Sequence, residues 1–270
     1  MPPPEKLFIY EIAGQVHPPP DLSGEDFLGA WREGGYTYLF FSRKREEQVR
    51  SWIVAAGQGQ YSSETVLDYA DWEAGQVLRP TRVAGFYLCP VWETPAPEPG
   101  DLVIRLEPGL AFGSGYHPTT RLCLEMIRQL YDKESLPTVL DLGTGTGVLT
   151  LAALALGAAQ VVAVEMNELA VRTAARNLRH NQAESQVLLI QGDARHFAYP
   201  EADLALANIH LEVLLELLAV PHFLDKKWYL FSGILGTQLE RFQASLGMTP
   251  LKVVEVAAEN MWFTVLARGA

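Results

Sequence analysis

The 270-residue chain has only two cysteines, Cys89 and Cys123, and they do not form a C-x-x-C pair. A disulfide framework is excluded, and free thiols in a reducing compartment are the simplest account. Positive charge is also scarce: 21 Lys and Arg against 32 Asp and Glu leave a net charge of −11. A nucleic-acid groove is therefore not expected, whereas a basic protein partner suits an acidic enzyme. The opening Met1-Pro2-Pro3-Pro4-Glu5-Lys6 lacks the basic start and apolar core of a secretory leader. The longest apolar region, Val148 to Val164, is interrupted by Gly157 and Gln160 and reads as a buried helix followed by a buried strand, not as a membrane span. The six histidines show no metal spacing, so no metal is expected. With 49% hydrophobic and 20% charged residues, the expectation is a soluble cytoplasmic globular protein.

What the chain does have is concentrated in one segment, Val139-Leu140-Asp141-Leu142-Gly143-Thr144-Gly145-Thr146-Gly147-Val148-Leu149, followed by Val161-Val162-Ala163-Val164-Glu165. The order strand, glycine turn, helix, strand, acid is the first βαβ unit of a nucleoside-binding α/β domain. Glycines let backbone pass close under a ligand, and the carboxylate of Glu165 can accept from both ribose hydroxyls. Dinucleotide sites use G-x-G-x-x-G to seat a pyrophosphate. Here the third glycine, Gly147, comes one residue early. G-x-G-x-G after Asp141 suits S-adenosylmethionine, which has no phosphate, and Asp141 is placed to meet its cationic amino group. A tight βα turn in any Rossmann-like enzyme is the competing reading, and Glu165 does not separate the two.

A second segment does. Glu107-Pro108-Gly109-Leu110-Ala111-Phe112-Gly113-Ser114-Gly115-Tyr116-His117-Pro118-Thr119-Thr120 precedes an expected helix from Arg121 to Leu130. Together with the glycine turn, Ala207-Asn208-Ile209 and Ser232-Gly233-Ile234-Leu235, it resembles the ribosomal protein L11 methyltransferases, the PrmA family. The resemblance runs from about Asp71 to the C-terminus. It implies a Rossmann-like class I methyltransferase core, S-adenosylmethionine as cofactor and ribosomal protein L11 as substrate. It also implies that Thr120, Gly143, Glu165 and Asn208 contact the donor. Glu165 stands where the family usually has aspartate, which keeps the carboxylate and lengthens its reach.

The expected organisation is a small α+β substrate-recognition unit over residues 1–68, a linker over 69–80 and a methyltransferase domain over 81–270. In the first unit, strands are expected at Leu7–Ile12, Gly35–Phe41 and Glu64–Tyr69, with helices at Gly24–Arg32 and Arg43–Ala55. The family carries a ferredoxin-like domain here, and this chain shows too few strand signals for a full βαββαβ pattern. The linker begins Asp71-Trp72-Glu73. Arg82–Trp92 and Leu102–Leu106 read as a hairpin joined by a loop rich in proline. Five alternating strands follow, at Val139–Asp141, Val161–Val164, Val187–Gln191, Leu204–Ala207 and Trp228–Ser232. Helices at Thr150–Leu156, Glu168–Asn181 and Glu212–Leu218 separate them, so a parallel sheet covered on both faces is expected. Leu251–Val256 and Trp262–Ala267 read as an antiparallel edge pair.

Ligands in such sheets sit beyond the carboxyl ends of the strands. Those ends carry Gly143, Gly145, Gly147, Glu165, Asp193 and Asn208. Asp193 reads either as an acceptor for the adenine amine or as a solvated turn residue. Methyl transfer needs a neutral amine held in line with the sulfonium methyl, so Asn208, with two oxygens to offer, is the expected catalytic residue. Asn208-Ile209-His210-Leu211 has no aromatic clamp for a flat base, which favours an aliphatic amine. His210 reads as a proton acceptor or as the start of a helix, and His117 as a residue that shapes its loop. The alternatives to L11 methylation are transfer to another protein or a small amine, and a catalytically idle donor-binding module.

Overall fold

The computed structural model describes residues 4–18, 22, 24–69, 79–107 and 115–269, without the Glu33 side chain. The expected connector at Asp71-Trp72-Glu73 and the stretch 108–114 of the glycine-rich loop lie outside the described residues.

Strands β1 (Lys6–Ala13), β2 (Phe27–Glu33), β3 (Tyr36–Phe41) and β4 (Gln60–Asp68) form an antiparallel sheet in the order β2-β3-β1-β4. Helix α1 (Glu46–Ala56) joins β3 to β4. The Gly34-Gly35 pair, both at positive φ, makes the two-residue β2–β3 turn that right-handed strand twist favours. Residues Gly24–Arg32, expected as a helix, instead enter β2 from Phe27 onward. Phe27, Ala30 and Trp31 have helical spacing, but pairing along β3 overrides that weak periodicity. All four strands of the ferredoxin-like order are therefore present. Among the described residues between β1 and β2 there is no α-helix, so one face of the sheet lacks a covering element from its own unit.

Alternation along β3 sends Thr37, Leu39 and Phe41 to one face and Tyr36, Tyr38 and Phe40 to the other. Leu39 and Phe41 pack with Val49 and Ile53 of α1. Phe40 packs with Leu7, Ile9 and Leu169, and Leu169 belongs to the helix α4 (Glu168–His180) of the large domain. A Cβ on Gly29 would lie 2.4 Å from Leu169 Cδ2, so glycine permits this approach. Arg32 pairs with Glu168 at 3.2 Å, and the Arg172 guanidinium lies 5.0 Å from the centre of the Phe27 ring. The first turns of α4 thus cover this second face of the sheet.

Strands β5 (Thr81–Val83), β6 (Phe86–Pro90) and β7 (Leu102–Leu106) form a second sheet. The expected hairpin between the two apolar runs is not what forms. The turn lies inside the first run, at Ala84-Gly85 with both residues at positive φ, and pairs β5 with β6. Strand β7 lies parallel to β6, and the proline-containing segment between them is the crossover a parallel pair requires.

The large sheet has the order β10-β9-β8-β11-β12-β14-β13, built from β8 (Thr138–Leu142), β9 (Gln160–Glu165), β10 (Val187–Gln191), β11 (Leu204–Asn208), β12 (Trp228–Leu235), β13 (Lys252–Glu259) and β14 (Trp262–Arg268). β8 to β12 are parallel, and β14 and β13 form the antiparallel edge, as the sequence suggests. Besides α4, the helices are α2 (Pro118–Tyr131), α3 (Val148–Ala155), α5 (Leu211–Leu218) and α6 (Gly236–Leu246). The first three helices of the domain bury one face with Leu130, Leu149 and Leu178; α5 and α6 bury the other with Leu214 and Phe242. Strand order reverses between β8 and β11, which is where a doubly wound sheet opens its ligand crevice. Among the described residues no helix is long and apolar enough to cross a membrane.

Leu169→Ala removes a fully buried leucine shared by the N-terminal sheet and α4. It should lower the unfolding free energy by about 2–4 kcal/mol in urea titration. A loss below about 1 kcal/mol would mean that this face is not packed as described.

Candidate active site

The turn after β8 is held from both sides. Gly143 and Thr144 donate their N–H groups to the Val164 carbonyl at 2.8 and 3.1 Å, which ties the turn to β9. Gly143 has φ +76°, and a Cβ there would stand 2.1 Å from Ile209 Cγ2. Ile209 in turn lies against Gly233, where a Cβ would stand 2.5 Å from the Ile209 carbonyl oxygen. The residue after Asn208 is thus wedged between two glycines, and this sets where β11 ends. Gly145 and Gly147 are also at positive φ, and Gly147 opens α3.

Asp141 is buried beneath the turn. Its Oδ2 accepts from the hydroxyls of Thr144 at 2.7 Å and Thr150 at 2.6 Å. Burial pushes the Asp141 carboxyl above its usual range, and these hydroxyls oppose the shift. The carboxylate therefore braces the turn from within, a role that the strand-end position did not reveal. Glu165, half-buried at the end of β9, bridges two backbone donors: Oε2 accepts from Gly145 N at 3.1 Å and Oε1 from Asn167 N at 2.8 Å. Asn167 also caps α4, its Oδ1 accepting from Leu169 N at 2.8 Å. The expected ribose acid is thus fixed to both the glycine turn and the start of α4.

Asp193 accepts from Arg195 N at 3.0 Å and forms a close ion pair with the Arg195 guanidinium. This pair pulls its carboxyl down to about 2. Arg195 also reaches Glu216 of α5 at 3.0 Å, so Asp193 is a fixed anion in its loop. Asn208 ends β11 beside Ser232 of β12, whose hydroxyl contacts Thr264 at 2.7 Å. His210 is exposed at the N-cap of α5 and makes no side-chain cap.

α2 delivers the remaining groups. His117 is its N-cap, with Nδ1 accepting from Thr119 N at 3.3 Å and 2.8 Å from Thr119 Oγ1. Pro118 follows in the first helical position, where no N–H is needed. The His117 ring meets the edge of Trp262 at 4.9 Å, and Arg121 pairs with Glu259, so the loop end and α2 are tied to the antiparallel edge. One turn past Thr120, the Cys123 thiol is fully buried near Ser232 and Thr264, and burial raises it to about 12. The Thr120 hydroxyl is fully buried and has no hydrogen-bond partner among the described residues. An unpaired buried hydroxyl costs about 1–3 kcal/mol, so this atom carries spare hydrogen-bonding capacity at the start of α2.

These observations fit S-adenosylmethionine: a glycine turn whose spacing departs from the dinucleotide pattern, a carboxylate at the second strand end and a buried hydroxyl on α2 that lacks a partner among the described residues. Glycine turn, acid, Asp193 and Asn208 all lie at the carboxyl edge around the strand-order reversal, as the sequence places them. The roles of Ile209, Thr144 and Thr150 had no signal in the sequence, because each depends on contacts between separate strand ends. Among the described residues no group of three His, Cys, Asp or Glu side chains is placed to hold a metal ion.

Sheet order, glycine turn and strand-end acid define a Rossmann-like α/β protein of the class I methyltransferase fold. The chain belongs to the family described as ribosomal protein L11 methyltransferase (PrmA), which it matches over residues 41–269. It is 36% identical over 200 residues to the ribosomal protein L11 methyltransferase of Desulfitobacterium hafniense, a match covering 73% of this chain and 62% of that protein. With that of Pelobacter propionicus it shares 37% over 211 residues, covering 74% of this chain and 66% of the relative. The matched chain thus spans roughly two thirds or less of the length of these relatives. The crystal structure of ribosomal protein L11 methylase from Lactobacillus delbrueckii subsp. bulgaricus superposes with a TM-score of 0.61 at 30% identity, covering 69% of this chain and 96% of that one.

Burial and the neighbouring Arg121 charge lower the His117 pKa, and its Nδ1 must be unprotonated to cap α2. The unfolded chain takes up the proton first, near pH 6.5. The stabilisation is therefore complete above about pH 6.5 and is lost as pH falls below it. His117→Asn keeps a capping oxygen without titrating in this range. Urea unfolding from pH 8 to 5 should show a smaller loss of stability in the variant; equal losses would remove His117 from the account.

Proposed function

We propose that the chain is an S-adenosylmethionine-dependent protein N-methyltransferase of the cytoplasm, acting on amines of ribosomal protein L11. The observation that carries this reading is the buried Thr120 hydroxyl, without a hydrogen-bond partner among the described residues, on the helix whose Cys123 lies by Ser232 of β12. The relatives' names supply the acceptor. When bound, the donor supplies an electrophilic methyl group on a sulfonium. Glu165, fixed by Gly145 and Asn167, orients the ribose; Asp193, locked by Arg195, accepts from the adenine amine; Asp141 places negative charge beneath the methionine end. Thr120 bonds the donor and fills its own vacant capacity.

A protonated lysine has no lone pair to attack with, and its reference pKa is roughly 10.4. Asn208 lowers the barrier by accepting from the amine N–H groups, which favours the neutral form and aligns its lone pair. Ile209, wedged between Gly143 and Gly233, holds Asn208 at that point. Asn208→Ala should reduce kcat by roughly 100-fold or more, the usual cost of one positioned polar group. The assay is labelled-methyl transfer to purified L11, and unchanged kcat would remove Asn208 from the mechanism.

The N-terminal sheet selects the substrate. Its face is covered by α4 at the Phe40 end, while Trp31 and Tyr36 farther along are 37% and 39% exposed, with Glu11 opposite Tyr38. Exposed aromatics beside acid suit a basic protein surface. Trp31→Ala with Tyr36→Ala should raise KM for L11 at least roughly tenfold, ~1.4 kcal/mol, and leave donor affinity unchanged. The lack of an α-helix between β1 and β2 among the described residues favours one competing reading, an acceptor other than L11. Equal KM values for the double variant and the parent, or no labelling of L11 by the parent, would turn the assignment to that reading.

A further inference from the structure

The outer edge of β7 pairs with side chains instead of another strand. Arg105 N donates to Asn181 Oδ1 at 2.9 Å, and the Arg105 carbonyl accepts from Asn181 Nδ2 at 2.7 Å. Two residues on, Glu107 N donates to Asn177 Oδ1 at 2.6 Å and its carbonyl accepts from Asn177 Nδ2 at 3.0 Å. A carboxamide carries one acceptor oxygen and one donor nitrogen, as a peptide unit does. Four residues of helix rise about 6.0 Å, and two residues of strand about 6.6 Å. Asn177 and Asn181 on α4 can therefore match alternate residues of β7 as a partner strand would.

The two asparagines differ in their remaining hydrogen. Asn181 Nδ2 turns back to the Asn177 carbonyl of its own helix at 2.7 Å. Asn177 Nδ2 donates to the Thr146 carbonyl at 2.9 Å, inside the glycine turn. Asn177 is fully buried. The Glu107 carboxylate is gripped by Arg176 at 3.1 Å and His180 at 3.4 Å, so this end of β7 is anchored on α4 by backbone and side chain together.

We propose that Asn177 is a positioning residue for the methyl-donor site. It holds the Thr146 carbonyl, and with it the turn from Gly143 to Gly147, at a set distance from Glu107. One carboxamide thus keeps the glycine turn and the end of β7 in a single frame, without itself touching the donor. The proposal rests on the donor-site reading above.

Its test is calorimetric titration of S-adenosylmethionine into the full chain and three variants, with thermal unfolding measured alongside. Asn177→Leu removes every bond and should weaken donor binding tenfold or more. Asn177→Asp keeps an acceptor for the Glu107 N–H but has no hydrogen for the Glu107 or Thr146 carbonyl, and should weaken binding similarly. Asn181→Leu loses the equivalent strand bonds without touching the turn. It should lower Tm comparably and leave donor affinity within twofold. In turnover, the Asn177 variants should raise the donor KM and keep kcat at saturating donor within threefold. Wild-type affinity in Asn177→Leu overturns the proposal, as does an equal loss in Asn181→Leu, which would make the ladder a general support of β7. A parent chain that binds no S-adenosylmethionine overturns the donor-site reading, and the proposal with it.

Discussion

The N-terminal sheet, the edge of β7 and the glycine turn are all registered against one helix, Glu168–His180. Its N-cap donates to the strand-end acid Glu165, and its first turn supplies Leu169 to the N-terminal sheet. Ala174 lies against Gly147 at the start of α3, 3.6 Å from where a Cβ would stand. Its last turn and its C-cap carry the asparagines that complete the edge of β7. Buried backbone donors and acceptors must find partners, and here one helix supplies them to a turn, a strand end and a sheet edge at once. A shift of this helix would have to break several of these contacts together.

The same helix covers the face of the N-terminal sheet that α1 leaves open. A four-stranded sheet with apolar residues on both faces needs two covers. One is α1; the other comes from the large domain, where Gly29 lets Leu169 approach. The cover reaches only the Phe40 end, so Trp31 and Tyr36 remain open to solvent. Packing and exposure on one face are thus divided by where the helix begins.

At the carboxyl edge of the sheet, chemistry depends on steric wedges more than on charge. Ile209 fits between Gly143 and Gly233, and this placement carries Asn208 with it. Beneath the turn, Asp141 and two threonine hydroxyls form a closed polar set in a buried setting. Such a set is rigid because each bond lost there leaves a buried polar group unsatisfied.

How much of this was legible follows from the range of each interaction. The glycine turn, the acid at Glu165, the parallel strands and the antiparallel tail were readable, because turn chemistry and β-alternation are local in sequence. Helix α6 escaped notice, since Leu239, Phe242 and Leu246 make only a narrow apolar stripe. Gly24–Arg32 was misread as helix because its spacing fits both periods, and only pairing with β3 decides between them. The parallel course of β7, the cover over Phe40 and the bond from Asn177 to Thr146 are contacts between segments far apart in the chain. The sequence alone determined which residues can turn, alternate, cap and ionise. Tertiary structure alone decided which of those groups meet, because only the folded chain brings their distant donors, acceptors and apolar faces within a few ångströms.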